Sequence, residues 1–260
     1  MLHVEGDNGP AVLLLPGGAE GVAGFFPGLA EGLREDPGVR VILYDRPGNG
    51  PSDDADGLRR ATAALHAAIA EAGAGPVVAI GQSLGGAVAV MLAADYPEDV
   101  AGLVLLDPTP LHDPALAKQV EVTAKRTVAM FRVPVIGALL RGMLMRTARK
   151  SAVKHRMTAE RRAAMDSIAS LDAAKLGRAV DGLQEVGAAL DLSAVPRVPA
   201  VVVTADRKRT SSITRAHEAL ATAIGASVVS WPTAEHYVHL SHPDEVLATS
   251  RDVLRRATAA

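Results

Sequence analysis

Six short apolar runs constrain this chain more than any other feature: residues 12–15, 39–44, 77–80, 103–106, 200–203 and 228–231. They are rich in Val and Leu, lack polar alternation, and most run directly into Gly, Pro or Asp. An unbroken apolar run of four to six residues predicts a strand covered on both faces, the situation in a parallel sheet. Between the runs, segments 25–34, 57–72, 83–96, 212–223 and 243–257 predict helices. Alternating strands and helices predict βαβ units with right-handed crossovers, hence a mostly parallel, doubly wound α/β sheet. Residues 2–5 predict a short leading strand, followed by the turn Asp7-Asn8-Gly9-Pro10. In such sheets ligands bind beyond the carboxyl ends of the strands, so the residue after each apolar run is where chemistry is expected.

The core must be built mainly from Ala, Val and Leu, because aromatic residues make up 3% of the chain while apolar residues make up 48%. A charged fraction of 22% and a net charge of -2 exclude a disordered chain and argue against a nucleic-acid binder. The absence of cysteine excludes disulfides, Cys-ligated metals and a thiol nucleophile. No basic-then-apolar leader is visible at residues 1–10, and no stretch has the composition of an integral membrane segment, so a cytoplasmic enzyme is expected. Residues 113–190 contain no good strand and carry a net +7, leaving -9 for the remainder. A helical insertion at 112–192, with the core formed by 1–111 and 193–260, is the simplest account. Its most basic part, 125–162, holds eleven Lys/Arg, the single acid Glu160, and Met130, Phe131, Met143, Leu144 and Met145.

The run 77–80 leads into Gly81-Gln82-Ser83-Leu84-Gly85-Gly86 and then an apolar helix. A serine at so sharp a strand-to-helix turn has a strained backbone, and side chains two residues away would collide, so glycine flanks it. The turn lifts the hydroxyl above the sheet at a helix N-terminus, where negative charge is favoured. Ser83 is therefore the candidate nucleophile. Acyl transfer also needs N–H donors for the developing oxyanion. The Leu84 N–H, next after the nucleophile, is one, and Gly18 in Leu15-Pro16-Gly17-Gly18-Ala19 is the expected second.

With these pieces in place the chain resembles the α/β-hydrolase fold family. Leu13-Leu14-Leu15-Pro16-Gly17-Gly18, Tyr44-Asp45-Arg46-Pro47-Gly48-Asn49-Gly50-Pro51-Ser52, Gly81 to Gly86 and Glu235-His236-Tyr237 occur in the family's order along nearly the whole chain. The resemblance implies a cap domain at the insertion and an order of Ser, acid and His. It departs from the family's usual His-Gly at Pro16-Gly17, which leaves a backbone donor available. It also implies His236 as the general base, since an ordinary imidazole exchanges protons near neutrality.

The acid is less regular. The family's usual position after the run 200–203 falls on Lys208, and Asp206 lies two residues early. Asp107, ending the run 103–106, is the preferred candidate and Asp206 the alternative, because any carboxylate reaching imidazole Nδ1 can hold its tautomer. Of the remaining histidines, His112 is a candidate pocket residue and His242 a candidate helix cap. His236, His239 and His242 also spell H-x-x-H-x-x-H, a weak metal pattern outside a regular helix.

The resemblance thus predicts a serine hydrolase of the carboxylic-ester type, cleaving an ester, lactone or similar carbonyl substrate through an acyl-enzyme. Ser83, His236 and Asp107 are its expected catalytic residues, and Gly18 and Leu84 its oxyanion donors. Neither cofactor nor metal is implied, and the expected partner is a small acyl substrate. The same triad would serve an acyltransferase or perhydrolase, and a non-catalytic ligand-binding protein is the third alternative. Three roles fit the basic insertion: an apolar lining for the pocket under solvated arginines, attraction of acidic substrates, or contact of residues 133–140 with an anionic membrane or a protein.

Overall fold

In the computed structural model, which describes residues 2–49, 57–170 and 172–259, the apolar runs become strands of one sheet. These are β1 (Leu2–Glu5), β2 (Ala11–Leu15), β3 (Arg40–Tyr44), β4 (Val77–Gln82), β5 (Val100–Leu106), β6 (Ala200–Val203) and β7 (Ser227–Val229). Their spatial order is β1-β3-β2-β4-β5-β6-β7. Only β1 runs antiparallel to its neighbour; the other pairings are parallel. Every residue of β2, β4 and β6 is buried, which is why these segments carry no polar alternation.

Successive side chains enter two separate cores. Ala11, Leu13 and Leu15 face one, with α2 (Ala61–Glu71), α3 (Leu84–Asp95) and α9 (Ser212–Ile224). Val12 and Leu14 face the other, with α1 (Leu29–Glu35) and α11 (Pro243–Thr258). Ten of the twelve residues of α3 are buried, so this helix is apolar all round. Its small Ala and Val side chains let it lie close to the sheet, which suits a core short of rings.

Between β5 and β6 lie α4 (Pro114–Phe131), α5 (Pro134–Lys154), α6 (Ala159–Ala169), α7 (Ala173–Ala179) and α8 (Leu183–Ala189). Polar caps start three of them: Asp113 accepts from the Ala115 and Leu116 N–H groups, Asp172 from Ala174 and Lys175, and Thr158 from Arg161. The insertion straddles the sheet. Ala117, Ala179 and Leu183 join the α3 side. Ala148, Ala152, Met165 and Ile168 join the α1 side. Among the described residues no single helix is long and apolar enough to cross a membrane.

Element boundaries differ from expectation where backbone turns intervene. The first helix begins at Leu29 rather than 25, because Gly28 takes a left-handed φ of 83° and Phe25 and Phe26 form a turn before it. Strand β7 stops at Val229, two residues short of the apolar run. It is a brief, exposed edge, a form that limits edge-to-edge pairing. Short α10 (Val238–Ser241) precedes α11. Gly50, Pro51 and Ser52 of the loop after β3 lie outside the described residues.

Candidate active site

Ser83 stands between β4 and α3 with φ 52° and ψ -117°, a strained conformation for a non-glycine residue. Its neighbours permit it. A Cβ on Gly85 would lie 2.1 Å from the Leu15 carbonyl oxygen, and one on Gly81 would lie 2.4 Å from the Gly85 carbonyl oxygen. The Ser83 N–H donates to the Leu106 carbonyl at 2.9 Å, tying the turn to β5.

The end of β5 places Asp107 beside it. Asp107 has φ 47°, and its N–H donates to the Val203 carbonyl at 2.7 Å. The loop between β7 and α10 brings His236 over both. Its Nδ1 lies 2.6 Å from Asp107 Oδ2 and its Nε2 lies 3.1 Å from Ser83 Oγ. The structure therefore brings Ser83, His236 and Asp107 into one hydrogen-bonded chain. Asp206, the alternative acid, is exposed and turned away: its carboxylate accepts from the Thr233 N–H at 2.7 Å.

Asp107 is buried, and burial alone would raise its carboxyl pKa. Hydrogen bonds from Arg207 and His236 outweigh burial and hold it well below the usual carboxylate range. Arg207 reaches both oxygens, donating to Oδ1 and, at 2.6 Å, to Oδ2. The Ala205 N–H adds a bond to Oδ1 at 2.9 Å. An ionised carboxylate can only accept, so imidazole Nδ1 carries the hydrogen and Nε2 presents a lone pair to the Ser83 hydroxyl. Sequence reasoning missed Arg207. Its only signal was a cation four residues beyond the end of β6, where the family's usual acid is missing nearby.

The loop at 17–18 closes on the serine. A Cβ on Gly17 would lie 2.2 Å from Gln82 Oε1 and 3.0 Å from Ser83 Cβ. Gly18 adopts φ 55°, and its carbonyl accepts from Arg46 Nη2 at 2.8 Å. Arg46 is fully buried, and burial pulls its pKa down to about 10. Leu84 opens α3, so its N–H has no acceptor within the helix. A cavity of about 280 Å³ lies in front of these groups, walled by Phe25, Leu144, Ile168, Leu176 and Tyr237, with Glu20 at its side. Burial raises the Glu20 carboxyl and pushes the Tyr237 hydroxyl up to about 12. Gln82 Nε2 donates to the His236 carbonyl at 3.0 Å and braces the histidine loop.

The other histidines singled out in the sequence do not join this hydrogen-bonded chain. His112, a candidate pocket residue, is bound to the Ala216 carbonyl at 3.0 Å and is not part of the Ser83 cavity wall. His242 occupies the N-cap position of α11, but its ring does not cap: its nitrogens contact Ser241 Oγ at 3.0 Å and the Pro232 carbonyl at 3.2 Å. His239 is buried against Phe25 and Phe26, with ring centroids 4.8 and 5.0 Å away. Neither of its nitrogens has a hydrogen-bond partner. The H-x-x-H-x-x-H pattern is thus three separate environments.

Burial pushes the His239 pKa down to about 3. The unfolded chain binds a proton there below about pH 6.5 and the folded chain does not, so stability falls as pH drops from about 6.5 towards 3. His239→Leu removes this loss. Between pH 7 and pH 5 the variant should lose about 2 kcal/mol less stability than the parent protein, measured by urea unfolding. Equal losses in both proteins would refute a neutral buried imidazole.

A family model described as the alpha/beta hydrolase family matches residues 12–249. The chain belongs to the alpha/beta hydrolase family, a family of hydrolase enzymes. Lipase LipV of Mycobacterium tuberculosis is 39% identical over 123 residues, 46% of each chain. The 2-hydroxy-6-oxo-6-phenylhexa-2,4-dienoate hydrolase of Comamonas testosteroni is 34% identical over 110 residues, 40% of this chain and 38% of its own. The chain therefore matches less than half the length of either relative. Among solved structures, MenH from S. aureus has a TM-score of 0.75 with 13% identity, covering 99% of this chain and 98% of its own. A thermophilic esterase from Thermogutta terrifontis has a TM-score of 0.71 with 24% identity, covering 98% and 93%. At these identities the likeness shows the fold.

Proposed function

We propose that the protein is a serine hydrolase that cleaves a carboxylic ester or lactone through a covalent acyl-enzyme. The observation that carries this reading is the unbroken chain from Asp107 through His236 to Ser83, ending on a strained serine that faces a cavity. Ser83 Oγ attacks the substrate carbonyl carbon while His236 Nε2 takes its proton. The carbonyl oxygen becomes an oxyanion held by the Gly18 and Leu84 N–H groups, each donor contributing roughly 3–4 kcal/mol. The tetrahedral intermediate collapses, and the leaving alcohol receives the proton from His236. Water, deprotonated by the same imidazole, then attacks the acyl-enzyme and frees Ser83. Throughout, Asp107 holds the imidazole tautomer and balances its transient positive charge.

The insertion at 112–192 serves as the cap in this reading. It contributes Leu144, Ile168 and Leu176 to the cavity wall, an apolar surface suited to an acyl chain. The lipase name of one relative supports an ester as substrate. A fluorophosphonate probe tests the reading directly. Stoichiometric labelling mapped to Ser83 is expected, abolished by His236→Ala. A folded protein that takes up no label would instead be a ligand-binding relative without hydrolase chemistry.

A further inference from the structure

Ten large apolar side chains are exposed among the described residues, and nine of them lie between Val122 and Val153. Scattered exposed apolar residues are ordinary, whereas a contiguous strip marks a contact surface. On α5, Val135, Leu139 and Met143 are 81%, 65% and 57% exposed. They stand four residues apart and so share one helix face, with Ile136 beside them and Val133 and Met130 extending the strip into the preceding turn. The opposite face, Gly137, Ala148, Ser151 and Ala152, is the one packed on the protein.

Further along the exposed face, Arg146 and Lys150 follow Met143 at helical spacing, with Arg149 adjacent. Unlike Lys154, which pairs with Glu235 at 2.9 Å, these three have no acidic partner among the described residues. From residue 122 to residue 159 there are nine Lys/Arg and no Asp or Glu. An exposed apolar strip continuing into unpaired cations matches the outer layer of a bilayer, where acyl chains lie just beneath anionic phosphates.

We propose that the exposed face of α4 and α5 docks on an anionic phospholipid surface. Among the described residues neither α4 nor α5 alone is long and apolar enough to cross a membrane, and the two meet at a bend of 117°, so the face is placed on the surface and not through it. A second copy of the chain fits poorly, since face-to-face pairing would oppose cation to cation with no acid between. Leu144, on the packed side of α5, lines the Ser83 cavity, so the helix that docks also walls the cavity. Passage of a lipid ester from the bilayer into that cavity rests additionally on the reading of Ser83 as nucleophile; docking itself does not.

The test is co-sedimentation of the full chain with vesicles of phosphatidylcholine alone or mixed with phosphatidylglycerol. Binding to the mixed vesicles only, reversed by salt, is expected. Arg146→Gln and Lys150→Gln should each weaken it roughly five-fold. Leu139→Asp with Met143→Asp should weaken it by at least about ten-fold, since both side chains leave the acyl layer. Fluorophosphonate labelling and hydrolysis of a short soluble ester should be unchanged in all these variants, which separates failure of docking from failure of the hydrolase reading. Equal sedimentation with both vesicle types, or with neither, would overturn the proposal. So would full binding by the double Asp variant, or a dimer in sedimentation equilibrium that Leu139→Asp dissociates.

Discussion

Ser83→Ala lowers kcat for ester hydrolysis by about six orders of magnitude and leaves the fold intact. The size of the effect follows from the proposed covalent step: without Oγ there is no acyl-enzyme, and only the oxyanion donors and the cavity remain, worth about 10³–10⁴ over water. The fold survives because little depends on the hydroxyl. Its contacts are His236 and a 3.5 Å approach to Thr109 Oγ1. His236 is 43% exposed on its side chain, so water replaces the lost partner at Nε2. His236→Ala should lose nearly as much, because the hydroxyl then has no base. The double variant should be no slower than either single one, since the two groups act as a unit. Steady-state kinetics on a chromogenic short-chain ester, with thermal unfolding as the control for folding, decide this. A folded Ser83→Ala protein retaining even a hundredth of the parent rate would remove Ser83 from the chemistry.

The parts of the molecule legible from residue order are those written in local patterns. Six apolar runs located six strands, because a strand buried on both faces has little choice but Val, Leu and Ile. The turn at Gly81 to Gly86 was legible because a backbone this crowded tolerates only glycine at its flanks. The chain between β5 and β6 read as helical because it lacks such runs. What stayed hidden depends on pairings across long separations. Arg207 meets Asp107 a hundred residues away, and neither position carries a local sign of the other. Asp206 and Arg207 are adjacent yet face opposite partners, which loop geometry decides and composition does not. Arg46 gave no hint that it would be fully buried beneath the Gly18 carbonyl. His239 looked like one third of a metal pattern and proved to be a core residue between two phenylalanine rings.

Asp107→Asn should lower kcat by about four orders of magnitude, while Asp206→Asn should stay within about two-fold of the parent. The contrast rests on what each carboxylate accepts. Asp206 takes one bond, from the Thr233 N–H, and an amide oxygen accepts that equally well. Asp107 accepts from His236 Nδ1, from both arms of Arg207 and from the Ala205 N–H. An asparagine has only one oxygen for all of these. Because Arg207 and Ala205 are pure donors, that oxygen stays with them and the Nδ2 amide turns to the imidazole. Nδ1 must then accept, the ring hydrogen moves to Nε2, and the imidazole presents a donor where Ser83 needs an acceptor. The rate falls although every heavy atom is still in place. Stability should fall as well, by about 1–3 kcal/mol, since the Arg207 guanidinium loses one charge-assisted bond but is exposed enough to turn towards water. The parent's own stability from this carboxylate is present above about pH 4 and is lost as pH falls below it, because its folded pKa is depressed. Asp107→Asn should flatten that acid limb, whereas Asp206→Asn should leave it unchanged. Urea unfolding across pH 6 to 2 reads the stability and steady-state kinetics the rate. If the kinetic losses fall on Asp206→Asn and spare Asp107→Asn, then the imidazole is oriented from the β6 loop and Asp107 serves only to anchor Arg207.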